Sequence, residues 1–322
     1  MQPATKHEVR RPEDLPLYDD LPPAPAGGRS AWGVFGADDN VGLLNLQTAD
    51  RVVAAARLIR RGKVFPLDAA LDAFSPPIAP TRGMPRHTVI HKPEIAVFDD
   101  CFDNFFPQAS SQWDSLAHVG YRPNCFYNGA TDDDIIAGRR NTIEHWARRG
   151  IAGRAVVLDM PAALAEDGRG YDPGSATAFS VADLELARRR AGVELHAGDV
   201  VILHTGFGAW YRSQRPAAPG AMANPGIECS ESMCRYLWDR RVAAVASDNY
   251  CVEVAPFDNS SPSTFIHRIL IGQFGMALGE LWWTEDLVAD CRADGVYEAF
   301  LTSAPLHAAG AIGSPPNALA IK

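Results

Sequence analysis

The chain has 322 residues, 47% hydrophobic and 21% charged, with 30 Lys and Arg against 39 Asp and Glu for a net charge of −9. That is ordinary globular composition, which excludes wholesale disorder, and a chain this long needs no disulfide or structural metal to fold. The acidic excess argues against nucleic-acid and anionic-membrane partners, and no apolar run approaches the ~20 residues of a membrane helix.

The first 30 residues carry six prolines and no apolar core, so they read as an irregular arm rather than a signal peptide. The arm is either a loose tail or a strap draped over a neighbour, and the expected compartment is the cytoplasm. Thr48 is placed to cap a helix with apolar positions at Val52, Ala55, Ala56 and Ile59, closed by Gly62. Lys63 to Leu67 follows as a short strand, 75–86 as a Pro- and Gly-rich loop, and His87 to Val97 as a strand broken by Pro93. A helix–strand unit is expected from Thr131 to Met160. Asp132, Asp133 and Asp134 open it, Gly150 stops the helix, and Ala155 to Asp159 is a buried strand. Val181 to Ala191 reads as a helix capped by Ser180, and Asp199 to Leu203 as a buried strand. Cys229 to Arg240 is a helix, Val242 to Ser247 a strand, Phe265 to Phe274 helical, and Asn317 to Ile321 a strand. The alternation predicts an α/β fold around a mixed sheet, with one domain over 31–322.

Cys101, Cys125, Cys229, Cys234, Cys251 and Cys291 form no CxxC pair, which favours reduced thiols over a zinc ribbon. The phosphate-binding glycine motifs and the GxSxG elbow are missing as well. The most informative stretch is Gln108-Ala-Ser-Ser-Gln112-Trp-Asp114-Ser-Leu-Ala-His118. Extended backbone over 111–114 puts Gln112 and Asp114 on one face, and a helical turn after Asp114 brings His118 back over it at i, i+4. An amide oxygen, a carboxylate and an imidazole then converge, a donor set suited to a divalent ion. On spacing alone, a helix start with Asp114 as its cap is the plainer account. His267 and Glu280 meet only if the chain turns between them, which Gly272, Gly275 and Gly279 permit. His87 and His91 share a strand face, and His204 ends a strand, where α/β folds often place site residues.

These segments, in this order, resemble the metal-dependent cyclase hydrolase family that includes bacterial kynurenine formamidase and isatin hydrolase. Gln108, Gln112, Asp114 and His118 fall on the four functional positions of the family's HxGTHxDxPxH motif. Further matches are Trp32-Gly-Val-Phe, Gly150-Ile-Ala-Gly-Arg-Ala-Val-Val-Leu-Asp159, His267-Arg-Ile-Leu and Gly279-Glu280-Leu. The resemblance implies a swivelling β/β/α fold and a hydrolase of an amide, cyclic amide or lactone of a small molecule. It also implies a homo-oligomer, a dimer or dimer of dimers. It implies that Asp114 is a metal ligand, that His118 transfers protons, and that His267 and Glu280 complete the site by holding metal or orienting water. The expected metal residues are Gln112, Asp114, His118 and His267, and the expected catalytic ones His118 and Glu280. Trp113, Phe106 and His204 are the expected substrate-binding residues, with core packing an equal account of Trp113 and Phe106 and a plain turn the alternative for His204. Two family histidines are glutamines here. A neutral amide oxygen suits a harder ion, which raises Mn²⁺ relative to Zn²⁺. His118 is then either a ligand or the proton shuttle. The competing readings are a metal-free small-molecule binder on the same fold and a metal-dependent lyase or dehydratase.

Overall fold

The structure is a computed structural model that describes residues 14–24, 28–214, 223–261 and 264–322. The start of the expected arm, residues 1–13, lies outside the described residues. The chain runs through α1 (Ala49–Ala56), β1 (Val64–Pro66), β2 (Arg86–Lys92), β3 (Val97–Asp103), β4 (Gln112–Asp114), α2 (Asp132–Ile136) and α3 (Ile143–Arg149). It continues through β5 (Ile151–Asp159), α4 (Met160–Glu166), β6 (Ala178–Phe179), α5 (Val181–Ala191), β7 (Val200–His204), α6 (Phe207–Gln214) and β8 (Gly226–Ile227). It closes with α7 (Glu231–Asp239), β9 (Ala244–Ser247), α8 (His267–Leu270), β10 (Ala277–Glu280), α9 (Glu285–Asp294), β11 (Glu298–Ser303), β12 (Gly313–Ser314) and β13 (Ala318–Ile321).

Nine strands form one mixed sheet in the order β1-β13-β11-β5-β7-β9-β10-β4-β12. Strands β5, β7, β9 and β10 are parallel, and the flanking strands pair antiparallel. The parallel centre is apolar and buried on both faces, as Val156, Val157, Leu158, Val201, Ile202, Leu203 and Val245 show. The expected α/β class with a mixed sheet is therefore the observed one.

Local signals set some element bounds. Ser180 and Asp183 form a capping box at the start of α5, and Gly192 ends it in the left-handed region, φ +67°. Other expectations needed correction. The helix after Thr48 stops at Ala56, well short of Gly62. The strand expected over 87–97 ends at Lys92, because Pro93 opens a turn and the chain returns as β3. The unit after Thr131 contains two short helices instead of one. Elements α4, α6, β10, α9 and β11 had not been expected. Of the two readings left open for the arm, its described part fits the packed one: Leu15, Tyr18 and Leu21 are buried. It is held by Trp238 Nε1 and Arg241, which donate to the Pro16 carbonyl at 2.9 Å each.

Candidate metal centre

Along β4 the residues alternate, so Gln112 and Asp114 point to one face and Trp113 to the other. Antiparallel pairing with β10 sets Glu280 opposite Gln112 and Leu278 opposite Asp114. Glu280 thus joins the two β4 residues on their face. His267 opens α8, and the chain doubles back through Gly275, φ +68°, before entering β10. The result brings His267 Nε2 to 3.0 Å from Glu280 Oε1, although 13 residues separate them in sequence. Ligand atoms of Asp114, His267 and Glu280 all lie within 4.8 Å of one another.

The polar groups here are not mutually satisfied. Gln112 Nε2 donates to Glu280, which leaves Gln112 Oε1 without a partner. Both oxygens of Asp114 also lack one. Asp114 is 1% exposed, Glu280 4% and His267 2%. Carboxylates this deep cost several kcal/mol each unless a cation or donors compensate them. Burial accordingly pushes Asp114 up to about 6, with His118 opposing and Glu280 reinforcing the shift. Burial also pulls His267 down, but the contacts to Glu253 and Glu280 outweigh it and hold the imidazole well above its ordinary range.

The turn after β4 carries His118, whose Nε2 stands 3.7 Å from Asp114 Oδ1, beyond hydrogen-bond length. Its side chain is 26% exposed, against 1% for that of Asp114, so it is the more open of the two. Burial lowers its pKa, and Asp114 only partly offsets this. Gln108 packs beside this face. A Cβ on Gly313, which pairs with Asp114 across β12, would sit 2.6 Å from Gln108 Nε2.

Three expected substrate residues are placed elsewhere or at the margin. Trp113 is fully buried on the opposite face of β4, edge-on to Trp146 and Trp282, with Nε1 bonded to Ser303 Oγ at 2.9 Å. It is core, which corrects the expectation of a pocket wall. His204 shares its face with Ile202, and Ile202 shares one with Gly279, so His204 also projects away from Glu280. There it contacts Thr284 Oγ1 at 2.7 Å and Asp248 Oδ2 at 3.3 Å. The structure therefore sets His204 apart from the converging ligand atoms of Asp114, His267 and Glu280. Phe106 is 38% exposed in the loop leading to β4. His87 and His91 stack on Phe102 and Phe98 in the exposed β2–β3 hairpin, so they form no pair.

Sequence reasoning missed Glu253, which is 0% exposed and bonded through Oε2 to His267 Nδ1. The available signal was a lone carboxylate within Cys251-Val-Glu-Val254, an otherwise apolar run. The aromatic neighbours of His267 were missed as well: Phe265 stacks on its ring at 4.9 Å, and Phe257 on Phe265 at 4.5 Å.

Comparison with known proteins gives this geometry a family. The model described as Putative cyclase matches residues 65–254, which include Gln112, Asp114, His118 and Glu253. A crystal structure of a novel cyclase is 32% identical over 91% of this chain and 99% of its own, with a TM-score of 0.78. Isatin hydrolase A from Ralstonia solanacearum shares the fold at 19% identity, covering 85% of this chain and 98% of its own, with a TM-score of 0.59. Isatin hydrolase A from Labrenzia aggregata, bound to benzyl benzoate, does so at 16% identity, covering 84% and 97%, with a TM-score of 0.56. The comparison with curated proteins gives no match. No helix among the described residues is long and apolar enough to cross a membrane. With more than half of its length matched by the model and 32% identity to a solved cyclase over 91% of the chain, the chain belongs to the putative cyclase family.

Proposed function

We propose that this protein is a metal-dependent hydrolase that opens an amide, a cyclic amide or a lactone of a small molecule. The observation that carries the reading is the set of buried oxygens without partners, Gln112 Oε1 and both oxygens of Asp114, beside His267 and Glu280. A divalent cation satisfies such a set, because each orphaned oxygen gains a partner and the buried carboxylates gain a counter-charge. Asp114, Gln112, His267 and Glu280 would hold it. Three oxygen donors and one imidazole favour Mn²⁺ more than a thiolate- or imidazole-rich site would, with Zn²⁺ as the other candidate. Such an ion supplies Lewis acidity, polarising a carbonyl and lowering the pKa of a water.

The protein groups do the rest. His118, its pKa lowered by burial and too far from Asp114 for a hydrogen bond, takes a proton from the attacking water and returns it to the leaving group. Glu280 receives the Gln112 amide and so orients that ligand's oxygen. Phe265 and Phe257 offer an aromatic wall beside His267, the role first assigned to Trp113. The family and the isatin hydrolases that share the fold support this reaction class.

The test is a screen of metal-free protein, resupplied with Mn²⁺ or Zn²⁺, against formamides, cyclic imides, lactams and lactones. Products should gain the mass of one water. His118→Ala should lower turnover by about 10²–10⁴-fold while keeping the metal. A chain that binds neither ion and stays inert would point to a small-molecule binder. A product without added water would point to a lyase or dehydratase.

A further inference from the structure

Glu253 lies outside every motif read from the sequence, and it is not among the residues whose ligand atoms converge. Its carboxylate holds His267 at Nδ1, while Glu280 meets Nε2 at 3.0 Å. Phe265 fixes the plane of the ring, stacked within 13° of parallel. The imidazole therefore has no freedom left: both nitrogens and one face are engaged.

The backbone that delivers these carboxylates is unusual. Val252, immediately before Glu253, has φ +56°, and Leu281, immediately after Glu280, has φ +55°. A β-branched or bulky residue rarely enters this region, and such strain collects where a structure must aim a particular atom. One buried residue clips both turns. Asn249 Oδ1 accepts the Val252 N–H at 2.8 Å, and its Nδ2 donates to the Val252 carbonyl at 3.2 Å. Its own carbonyl accepts the Leu281 N–H at 2.9 Å. Asn224 Nδ2 adds a bond to the Glu253 carbonyl at 3.0 Å. Two strained turns, joined through Asn249, thus flank the two carboxylates that touch His267.

We propose that Glu253 is the positioning residue of the metal centre. The turn clipped by Asn249 aims its carboxylate at His267 Nδ1, which fixes tautomer and ring so that Nε2 faces Asp114 and Glu280. A carboxylate behind a metal-binding histidine commonly does this work. The inference rests on the metal-site reading above.

The test uses the full chain, metal-free and with Mn²⁺ or Zn²⁺ alone. Glu253→Gln keeps size and an acceptor oxygen but removes the charge. We expect its Kd for the ion to rise about 10–100-fold with the thermal unfolding midpoint little changed. In the metal-free variant the downfield N–H resonance of His267 should move upfield, a change that loss of a mere strut would not single out. Glu253→Asp should recover part of the affinity. A folded Glu253→Gln protein with the wild-type Kd and N–H signal overturns the proposal. If that variant does not fold, Glu253→Asp carries the test, and wild-type values for both readouts overturn it. If the wild-type chain binds neither ion, the metal reading fails, and the N–H signal alone decides whether Glu253 positions His267.

Discussion

Two buried histidine–carboxylate clusters stand back to back across the sheet. Around His204, every carboxylate contact closes. Asp248 accepts the Thr205 N–H at 2.7 Å, the Thr205 hydroxyl at 2.8 Å and the Gly206 N–H at 2.8 Å, and it faces His204 Nδ1. Burial lowers His204, but Asp248 more than restores it, so the imidazole is held above its ordinary range. Around His267, by contrast, Gln112, Asp114 and Glu253 each keep an oxygen with no partner. Composition does not separate the two, since both bury carboxylates beside an imidazole. Satisfaction does: the first cluster is a finished strut tying the ends of β7 and β9, and the second leaves buried oxygens that a cation would satisfy under the proposed function.

That contrast predicts opposite mutational signatures. The largest effect should come from Asp114→Asn, which removes the charge of a proposed ligand. Metal affinity should fall by more than the ~10²-fold typical of losing an outer partner, while the metal-free protein unfolds at the same or a higher temperature. Calorimetric titration and thermal unfolding on the same sample check both halves. Normal metal content in this variant would erase the distinction drawn here. His204→Ala should do the reverse. Removing one partner of a buried pair costs about 3–5 kcal/mol, and the low end is expected because Asp248 keeps three other donors. Denaturant unfolding should show that loss with the metal Kd unmoved, and a stable variant that had lost metal would invert the assignment.

The third prediction is gentler and concerns pH. The His267 imidazolium, with its raised pKa, stabilises the metal-free fold fully below the unfolded value, and that contribution is lost as pH rises through the folded one. Asp114, raised to about 6, likewise favours the metal-free fold only while protonated. A cation must displace both protons, so affinity should climb with pH by up to about tenfold per unit for each proton released, then level off. Titrations in two buffers of different ionisation heat count those protons. Affinity independent of pH would mean that neither group binds the ion. No such dependence is expected for the His204 strut, which takes up no ion.

The success and failure of the sequence reading follow from where each signal sits. Helix α5 was legible because Ser180, Asp183 and Gly192 act within the element itself. Helix α9 was not, because Glu-Asp-Leu-Val-Ala-Asp-Cys-Arg-Ala-Asp has little apolar periodicity. Its anchors come from afar: Arg292 bonds Asp159 at 2.7 and 2.8 Å, and Asp290 meets Lys63 and Lys322 at 2.7 and 3.0 Å. Strand β10 is four residues with a glycine, buried on all sides, and its own sequence carries no alternation to read. At the site, period-two alternation in β4 was enough to put Gln112 and Asp114 on one face. The same alternation, applied to Trp113, would have turned it away from the pocket.

The sequence by itself determined the α/β class, the family resemblance and a donor set of amide, carboxylate and imidazole, because these reside in local pattern and residue type. Only the tertiary structure decided which polar groups meet. The β4–β10 register brought Glu280 to Gln112, the turn through Gly275 brought His267 to Glu280, and the clip at Asn249 brought Glu253 behind His267. Whether a buried oxygen ends with a partner depends on those long-range placements, and no local signal in the chain encodes it.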